Sequence, residues 1–499
     1  MTSSSRLCAF GAAALLLSGC VTPEERAIYA APDAGFANVA LLTQEASAKE
    51  TTWVQSGEQA EALARRIQAM VRGKTLSADA AVQVALLNNK GLQAAYADVG
   101  ISAAEAWQQT LLPNPKVSIG VLGIGAPGLG AFRAIEGMIA NNILAMTTQR
   151  RRVDLADGNF RIAQLRAISQ TLQLAFETRT AWVDAVAAFE TVYYLNQAQG
   201  AADAASQLAQ KLGETGALTK SGQAREHAFF AELTGQTAQA RLAAQLAKEK
   251  LARLMGLWGD DLGFFVPDRL PALPHAPARK RDIEAEALQR RVDLQLARLE
   301  LDATAQSFGL TEATRFVSDF EILAGFEKER EIETEYEIEG DELKETVTRS
   351  WTVTPQVEVE FVIPVFDSGE ARLRKAELAY MRAANLLAEK AVNVRSEARS
   401  AHAAYKAGFE IARHFQNEVL PLRAKIEEES LLTYNGMITS TFELLADTRA
   451  RIGSVLAASN ARRDFWRAEA NLSAAIHGGS PQAGEAGPGV TLADNAGGH

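Results

Sequence analysis

Two very long helical patterns, each preceded by a short β-rich run, constrain this chain more than any other feature. The first β-rich run starts at Pro115-Lys116-Val117-Ser118-Ile119-Gly120-Val121 and leads into a helical pattern from about Thr148 to Lys211. The second ends in Val357-Glu358-Val359-Glu360-Phe361-Val362-Ile363-Pro364 and leads into a pattern from about Gly369 to Leu432. Ordinary helices run roughly 10–14 residues, whereas about 60 residues of helix span roughly 90 Å. A soluble enzyme core has no use for that length; a hollow or rod-like assembly does. The plan is written twice. Leu-Gln recurs at Leu92-Gln93 and Leu294-Gln295, about 200 residues apart, which marks an internal duplication and not a solenoid of short units.

Each rod breaks, and another helix follows. The first break is Gly213-Glu214-Thr215-Gly216-Ala217-Leu218-Thr219, the second Tyr434-Asn435-Gly436-Met437-Ile438-Thr439. Glycine supplies the left-handed end of the incoming helix, and Thr219 and Thr439 suit the cap of the outgoing one. Each half therefore ends in an antiparallel helical hairpin with a tight tip. Upstream, Thr75-Leu76-Ser77-Ala78-Asp79 reads as a helix start capped by Ser77. That helix runs through Leu92-Gln93-Ala94-Ala95 to Leu112, where Pro113 and Pro115 stop it. Its counterpart runs from Val292 to Thr314. The expected domains are a signal peptide at 1–19, a leader and first helical segment at 20–74, and a first repeat at 75–257. A Gly/Pro-marked connector at 258–280, a second repeat at 281–477 and a disordered tail at 478–499 complete the chain. Within the leader, residues 21–46 read as loose, with a helical pattern following to about Arg72.

Arg6 and the apolar run Leu7 to Leu17 lead to Leu17-Ser18-Gly19-Cys20, the pattern of a signal peptide and not of a membrane-spanning helix. The order Leu-Ser-Gly-Cys resembles the lipobox of bacterial lipoproteins, which implies cleavage before Cys20 and its lipidation, palmitate included. In such lipoproteins an aspartate at the next position usually means retention at the inner membrane, so Val21 points to the outer membrane. The only other cysteine, Cys8, lies in the removed segment, so the mature chain must hold itself by packing without a disulfide. The net charge of −10 argues against a nucleic-acid partner. Beyond the signal there is no run of roughly 20 apolar residues, so a membrane crossing requires a closed β-barrel. In the strand before Pro364, Val357, Val359, Phe361 and Ile363 fall on one face, and Gln356, Glu358 and Glu360 on the other. This is the apolar-to-lipid, polar-to-lumen alternation of a barrel strand. The strand near Phe320 to Phe326 alternates less cleanly.

With these residues in view, the chain resembles the outer-membrane factor family, the TolC-like efflux channels, in its lipoprotein branch. The resemblance covers roughly residues 75 to 477. It is carried by the strand-to-helix junction Pro364-Val365-Phe366-Asp367-Ser368-Gly369 and by the tip Tyr434-Asn435-Gly436-Met437 with Phe442-Glu443-Leu444-Leu445 after it. The first tip, Gly216 to Gln223 with Ala224-Arg225-Glu226, and the connector Leu254 to Pro274 add to it. The resemblance implies a mainly α fold with a transmembrane β portion. Long antiparallel helical hairpins form a trimeric tunnel, and four strands per chain join a shared twelve-stranded barrel. It also implies a homotrimer that meets a periplasmic adaptor and an inner-membrane pump and sits in outer-membrane lipid. The tip residues Gly216, Thr219, Tyr434, Asn435, Gly436, Met437 and Thr439 would carry gating and adaptor docking. One departure stands out. Relatives carry aspartates a few residues after the tip glycine, where this chain has Phe442 and Leu445. A hydrophobic constriction or a ring from Glu427-Glu428-Glu429 would replace the acidic gate.

Other motifs have plainer readings. Gly123-x-Gly125-x-x-Gly128 spells a dinucleotide fingerprint but opens no helix, and a hairpin loop explains it. The acid-rich alternation from Glu327 to Glu345 reads as a hairpin prolonged beyond the membrane, turning near Gly340-Asp341. Arg150-Arg151-Arg152 and Arg372, Arg374 and Lys375 oppose the dipole at matching helix starts. Either anionic headgroups or solvent accommodates them. The six histidines form no metal-ligand spacing, and no catalytic arrangement is readable. The sequence thus predicts a passive exit channel of a tripartite efflux or type I secretion system, with no enzyme activity, metal or cofactor. The alternative is a membrane-tethered periplasmic coiled-coil adaptor, which would need no amphipathic strands beside both rods.

Overall fold

The computed structural model describes residues 22–125, 132–216, 218–278, 282–317, 319–339, 342–436 and 441–478. Helix starts follow local capping chemistry. Ser56, Ser77 and Thr219 accept backbone N–H groups from Gln59, Ala80 and Gly222 at 3.3, 3.2 and 3.1 Å. The chain divides into two compact units, residues 1–35, 100–162 and 298–386 in one and 36–99, 163–297 and 387–499 in the other.

The elements before the first rod are α1 (Pro23–Tyr29), α2 (Phe36–Ser47), α3 (Gly57–Val71), α4 (Ala78–Asn88) and α5 (Lys90–Thr110). Strands β1 (Lys116–Leu122) and β2 (Ala134–Asn142) follow, then short α6 (Ile143–Thr147), the rod α7 (Gln149–Glu214) and α8 (Lys220–Leu254). The second half runs α9 (Ile283–Arg290), α10 (Val292–Ala313), β3 (Phe320–Glu339), β4 (Glu342–Phe361), α11 (Glu370–His414), α12 (Leu420–Asn435) and α13 (Thr441–His477). No helix of the described residues is long and apolar enough to cross a membrane.

Four features differ from the sequence reading. The residues read as a loose leader form α1 and α2. Tyr29 of α1 packs edge-on against Phe160 and donates to Asp157 at 2.8 Å, so side-chain anchoring orders a stretch without clear periodicity. The single helix expected from Ser77 to Leu112 is two, parted where Asn89 turns extended at φ −63°, ψ 121°. The second rod is helical throughout but not all α, because Phe415–Val419 forms a π turn just before Pro421. Proline lacks an N–H and crowds the preceding turn, and the wider π turn absorbs that fault. Gly436 does not supply a left-handed end, since its φ is −76°.

Hydrophobic clusters hold the unit of α3, α4 and α8. One joins Ile67, Val71, Leu76 and Leu87 with Trp182, Leu251, Met255 and Phe264, and Trp182 donates its indole N–H to the Leu76 carbonyl at 2.8 Å. The connector belongs to this core. Phe265 exchanges backbone hydrogen bonds with Lys74 and Leu76 at 2.9 Å each, and Leu270 is buried. A second cluster joins Ile283, Ala287, Val394, Tyr405, Phe409, Phe465 and Ile476. A third, smaller one joins Leu195, Ala198, Ala202 and Leu233 near the first tip. The other unit contains one antiparallel sheet in the order β1-β2-β3-β4.

Candidate channel wall and docking tips

The sheet register sorts side chains onto two faces. Val357 lies opposite Ala324, which lies opposite Ile139, which lies opposite Val117; Val359 lies opposite Ile322 and Phe361 opposite Phe320. Ile119, Val121, Phe326 and Val353 share this face by the same pairing. It is apolar and uncovered in the single chain, with Val357 75% and Ile119 76% exposed. The opposite face carries Gln356, Glu358 and Glu360 together with Glu136, Glu321, Glu327 and Glu329. Lys116 pairs with Glu321 at 2.7 Å, and Gln356 donates to Glu327 at 3.0 Å. The strand that alternates less cleanly in sequence is thus placed by its neighbours: Leu323 and Gly325 lie on the polar face opposite Glu358 and Gln356. Ile363, expected on the apolar face of the strand, lies beyond its end at Phe361.

The β3–β4 ladder closes at Glu339 opposite Glu342; the expected turn residues Gly340 and Asp341 lie outside the described residues. Gly123 and Gly125 both have positive φ after β1, the hairpin reading of the glycine motif; Gly128 lies outside the described residues. At the strand-to-helix junction Asp367 accepts the Gly369 N–H at 2.8 Å. Gly369 has φ +75°, and a Cβ there would meet the Arg315 carbonyl oxygen at 2.8 Å. Backbone crowding therefore selects the glycine of the Phe-Asp-x-Gly motif. The arginines at the rod starts find local partners. Arg150 pairs with Asp154 at 3.2 Å, Arg151 donates to the Gly309 carbonyl at 3.1 Å, Arg152 to that of Ala145 at 2.5 Å, and Arg374 pairs with Glu377 at 2.5 Å.

At the first tip Gly216 has φ +75° and Thr219 caps α8. Gln223 lays its amide across the hairpin, donating to the Ala209 and Gln210 carbonyls at 3.2 Å. It fills the space over Gly213, where a Cβ would fall 1.3 Å from its amide nitrogen. Sequence reasoning names both residues as part of the tip but gives no sign of this contact. At the second tip Tyr434 is half-buried, and Asn435 and Gly436 are exposed. Met437 and Thr439 lie outside the described residues, as does Cys20, and nothing is described of the Phe442 and Leu445 side chains. Two acids near this tip are engaged. Ser430 donates to Asp447, and Arg451 pairs with Glu427, whereas Glu428 and Glu429 are exposed. Arg449 pairs with buried Glu226 at 2.9 Å and lies 4.2 Å from the Phe229 ring centre, tying α13 to α8.

No protein-family model matches the chain, and no curated protein matches it. Solved structures do. The outer-membrane channel OprN aligns with TM-score 0.66 at 19% identity, over 81% of this chain and 90% of its own. The Campylobacter jejuni CmeC outer membrane channel aligns with TM-score 0.65 at 17% identity, over 87% and 91%. The outer membrane protein VceC of Vibrio cholerae aligns with TM-score 0.63 at 16% identity, over 81% and 96%. The chain has the fold of the outer-membrane factor channels, as its junction and tip motifs led us to expect.

Proposed function

We propose that this chain is the outer-membrane exit channel of a tripartite efflux or type I secretion system, working as a homotrimer with a periplasmic adaptor and an inner-membrane pump. One observation carries the reading: a four-stranded sheet with two open edges and an uncovered apolar face. In lipid, an open edge leaves backbone N–H and C=O groups without partners, each costing several kcal/mol, about what a lost buried hydrogen bond costs. Joining β4 of one protomer to β1 of the next removes the edges, turns the apolar face to lipid and collects the glutamates around a lumen. Cys20 anchors the mature N-terminus by lipid, and transport through the channel is passive. The tips around Gly216, Thr219, Tyr434, Asn435, Gly436, Met437 and Thr439 dock the adaptor, which favours the open state only by binding it better than the closed one.

The test is cysteine pairing across the β1–β4 edge in intact cells, with one cysteine at Ser118 and one at Glu358. Oxidation should yield a covalent trimer ladder in the outer-membrane fraction, and reconstituted trimers should conduct ions. Covalent ladders absent from cells that express folded protein would reject the shared barrel. Mass spectrometry should find a lipidated N-terminal Cys20, and cysteines at Thr219 or Thr439 should crosslink to the adaptor.

A further inference from the structure

The apolar face of the sheet ends in a band of positive charge. From Phe361 to Trp351 β4 advances roughly ten residues, about 33 Å along the strand. With a tilt of about 40° that is the height of an outer-membrane barrel's apolar band. Trp351 therefore stands where an aromatic girdle belongs, stacked near Phe132 at 6.1 Å between ring centres. The register puts Lys328 opposite Val353, Arg330 opposite Trp351 and Arg349 opposite Ile332, so all three cations lie on the apolar face. Lys328 and Arg330 sit over the Trp351 ring at 5.2 and 4.9 Å. The alternate positions of β3 on the other face are Glu327, Glu329, Glu331 and Glu333, opposite Thr354, Thr352, Ser350 and Thr348. Over residues 327–333 and 348–354 charge is thus segregated by face. Arg133 reaches Glu329 at 2.6 Å, but neither Lys328 nor Arg349 has a carboxylate within ion-pair distance among the described residues. Evenly solvated charges would show no such sorting.

We infer that Lys328, Arg330 and Arg349, set around Trp351, hold the phosphate groups of a phosphorylated glycolipid in the outer leaflet. The inference rests on the proposed barrel, which puts this face against lipid and this hairpin at the outer surface. The glycolipid is favoured over free phosphate because the cations continue directly from the apolar band. One molecule can then lay acyl chains on Phe326 and Val353 and phosphates on the cations above them. Anionic headgroups attract interfacial Lys and Arg, and side chains anchored on an aromatic ring lose less freedom on binding.

The experiment uses full-length trimer in nanodiscs of zwitterionic phospholipid doped with a bisphosphorylated glycolipid or its dephosphorylated form, read by native mass spectrometry. Wild type should retain the phosphorylated lipid and not the dephosphorylated one. Lys328→Gln/Arg330→Gln/Arg349→Gln should weaken retention roughly a hundredfold, at roughly fivefold per interfacial cation. Lys328→Arg should keep it. If the triple variant does not assemble, Lys328→Gln and Arg349→Gln singly leave Arg330 on the ring and should each show the fivefold loss. Retention unchanged in variants that remain trimeric, or equal retention of both lipid forms, overturns the inference. Wild type that forms no membrane-embedded trimer instead overturns the channel reading beneath it.

Discussion

The two halves of the chain build the same parts with different chemistry, and the joints between their early helices show it best. In the first half the chain turns extended at Asn89, between α4 and α5. In the second it does so at Arg291, between α9 and α10, with nearly the same backbone angles, φ −65° and ψ 119° against φ −63° and ψ 121°. Each half also ends in a positive-φ glycine set against that joint. Gly256 has φ +67°, with the Asn88 carbonyl oxygen 3.0 Å from where a Cβ would stand, and Gly478 has φ +101°, with the Val292 nitrogen at 3.6 Å. The backbone solution is shared; the side-chain solution is not. In the first joint neutral amides close the helix end: Asn88 donates to the Met255 and Gly256 carbonyls at 3.0 and 2.8 Å, and Asn89 to that of Leu254 at 2.9 Å. In the second, buried Arg291 forks onto Asp293 at 2.9 and 2.7 Å and pairs with Glu397, while Lys390 reaches Asp293 at 2.8 Å. The two halves therefore share where the chain bends and differ in how the bend is satisfied.

The sharpest way to break this comparison is to empty the charged joint. Arg291→Met leaves Asp293 and Glu397 in a poorly solvated site, which should cost about 3 kcal/mol, the low end for a broken buried pair because Lys390 still partners Asp293. Burial pushes the Asp293 carboxyl up, but the hydrogen bonds and charges of Arg291 and Lys390 outweigh it and hold it below the usual carboxylate range. A depressed carboxylate contributes stability above its unfolded value and loses it as pH falls through the folded one. Wild type should therefore lose stability on the acid side of about pH 4, and the variant should lose less. Thermal melts of detergent-solubilised trimer across that range would show it; parallel pH profiles would mean that Arg291 does not set the Asp293 ionisation.

The hairpins invite the next test. β1 and β2 have 7 and 9 residues and β3 and β4 have 20 each, yet the apolar face runs across all four. If that shared band is the membrane-spanning part, Ile119→Arg on the short hairpin and Val359→Arg on the long one should each cost about 2–4 kcal/mol. Glu360→Arg, on the opposite face, should assemble and alter ion selectivity. The readout is the heat-sensitive trimer band on gels, and equal damage at Val359 and Glu360 would refute the assigned faces. Below this in size comes the neutral joint. Asn88→Ala strips two helix-end carbonyls of a donor and should cost about 1–3 kcal/mol, with a pH profile parallel to wild type, unlike Arg291→Met.

These contrasts also explain what the sequence could show. The strand faces and the Ser77 and Thr219 caps were legible because each is fixed by neighbours within a few residues. The break at Asn89 was not. The apolar pattern runs unbroken through α4 and α5, and what rewards the break is carbonyls at the C-terminal end of α8, more than 160 residues away. The Gly213–Gln223 contact and the helical leader share that dependence on distant partners. The π turn did leave a trace, Pro421 inside an otherwise helical run, but a proline marks a fault without saying whether the helix stops, kinks or widens. At the candidate site, the register of β3 supplied what alternation alone did not, because Leu323 and Gly325 take their face from β4.

The smallest expected effect separates the two tips. Both breaks contain a glycine that sequence patterning treats alike, but only Gly216 needs to be one. At φ +75° a side chain strains the backbone by about 1–2 kcal/mol whatever the space around it, and nothing lies within 4 Å of where the Cβ would stand. Gly216→Ala should therefore lower stability by about 1 kcal/mol through conformation alone, without a clash. Gly436, at φ −76° and ψ 1°, already has angles that alanine adopts freely. Gly436→Ala should be neutral or stabilising by about 0.4–1 kcal/mol, since the unfolded chain loses freedom and the folded backbone is not strained. If both glycines act through the tightness of the turn, the two variants should impair export equally. If conformation decides, Gly216→Ala should weaken export in step with its melting temperature while Gly436→Ala exports normally. Loss of export in a Gly436→Ala trimer of unchanged stability would instead place a close approach between protomers or to the adaptor at that glycine, where even one methyl group is too many.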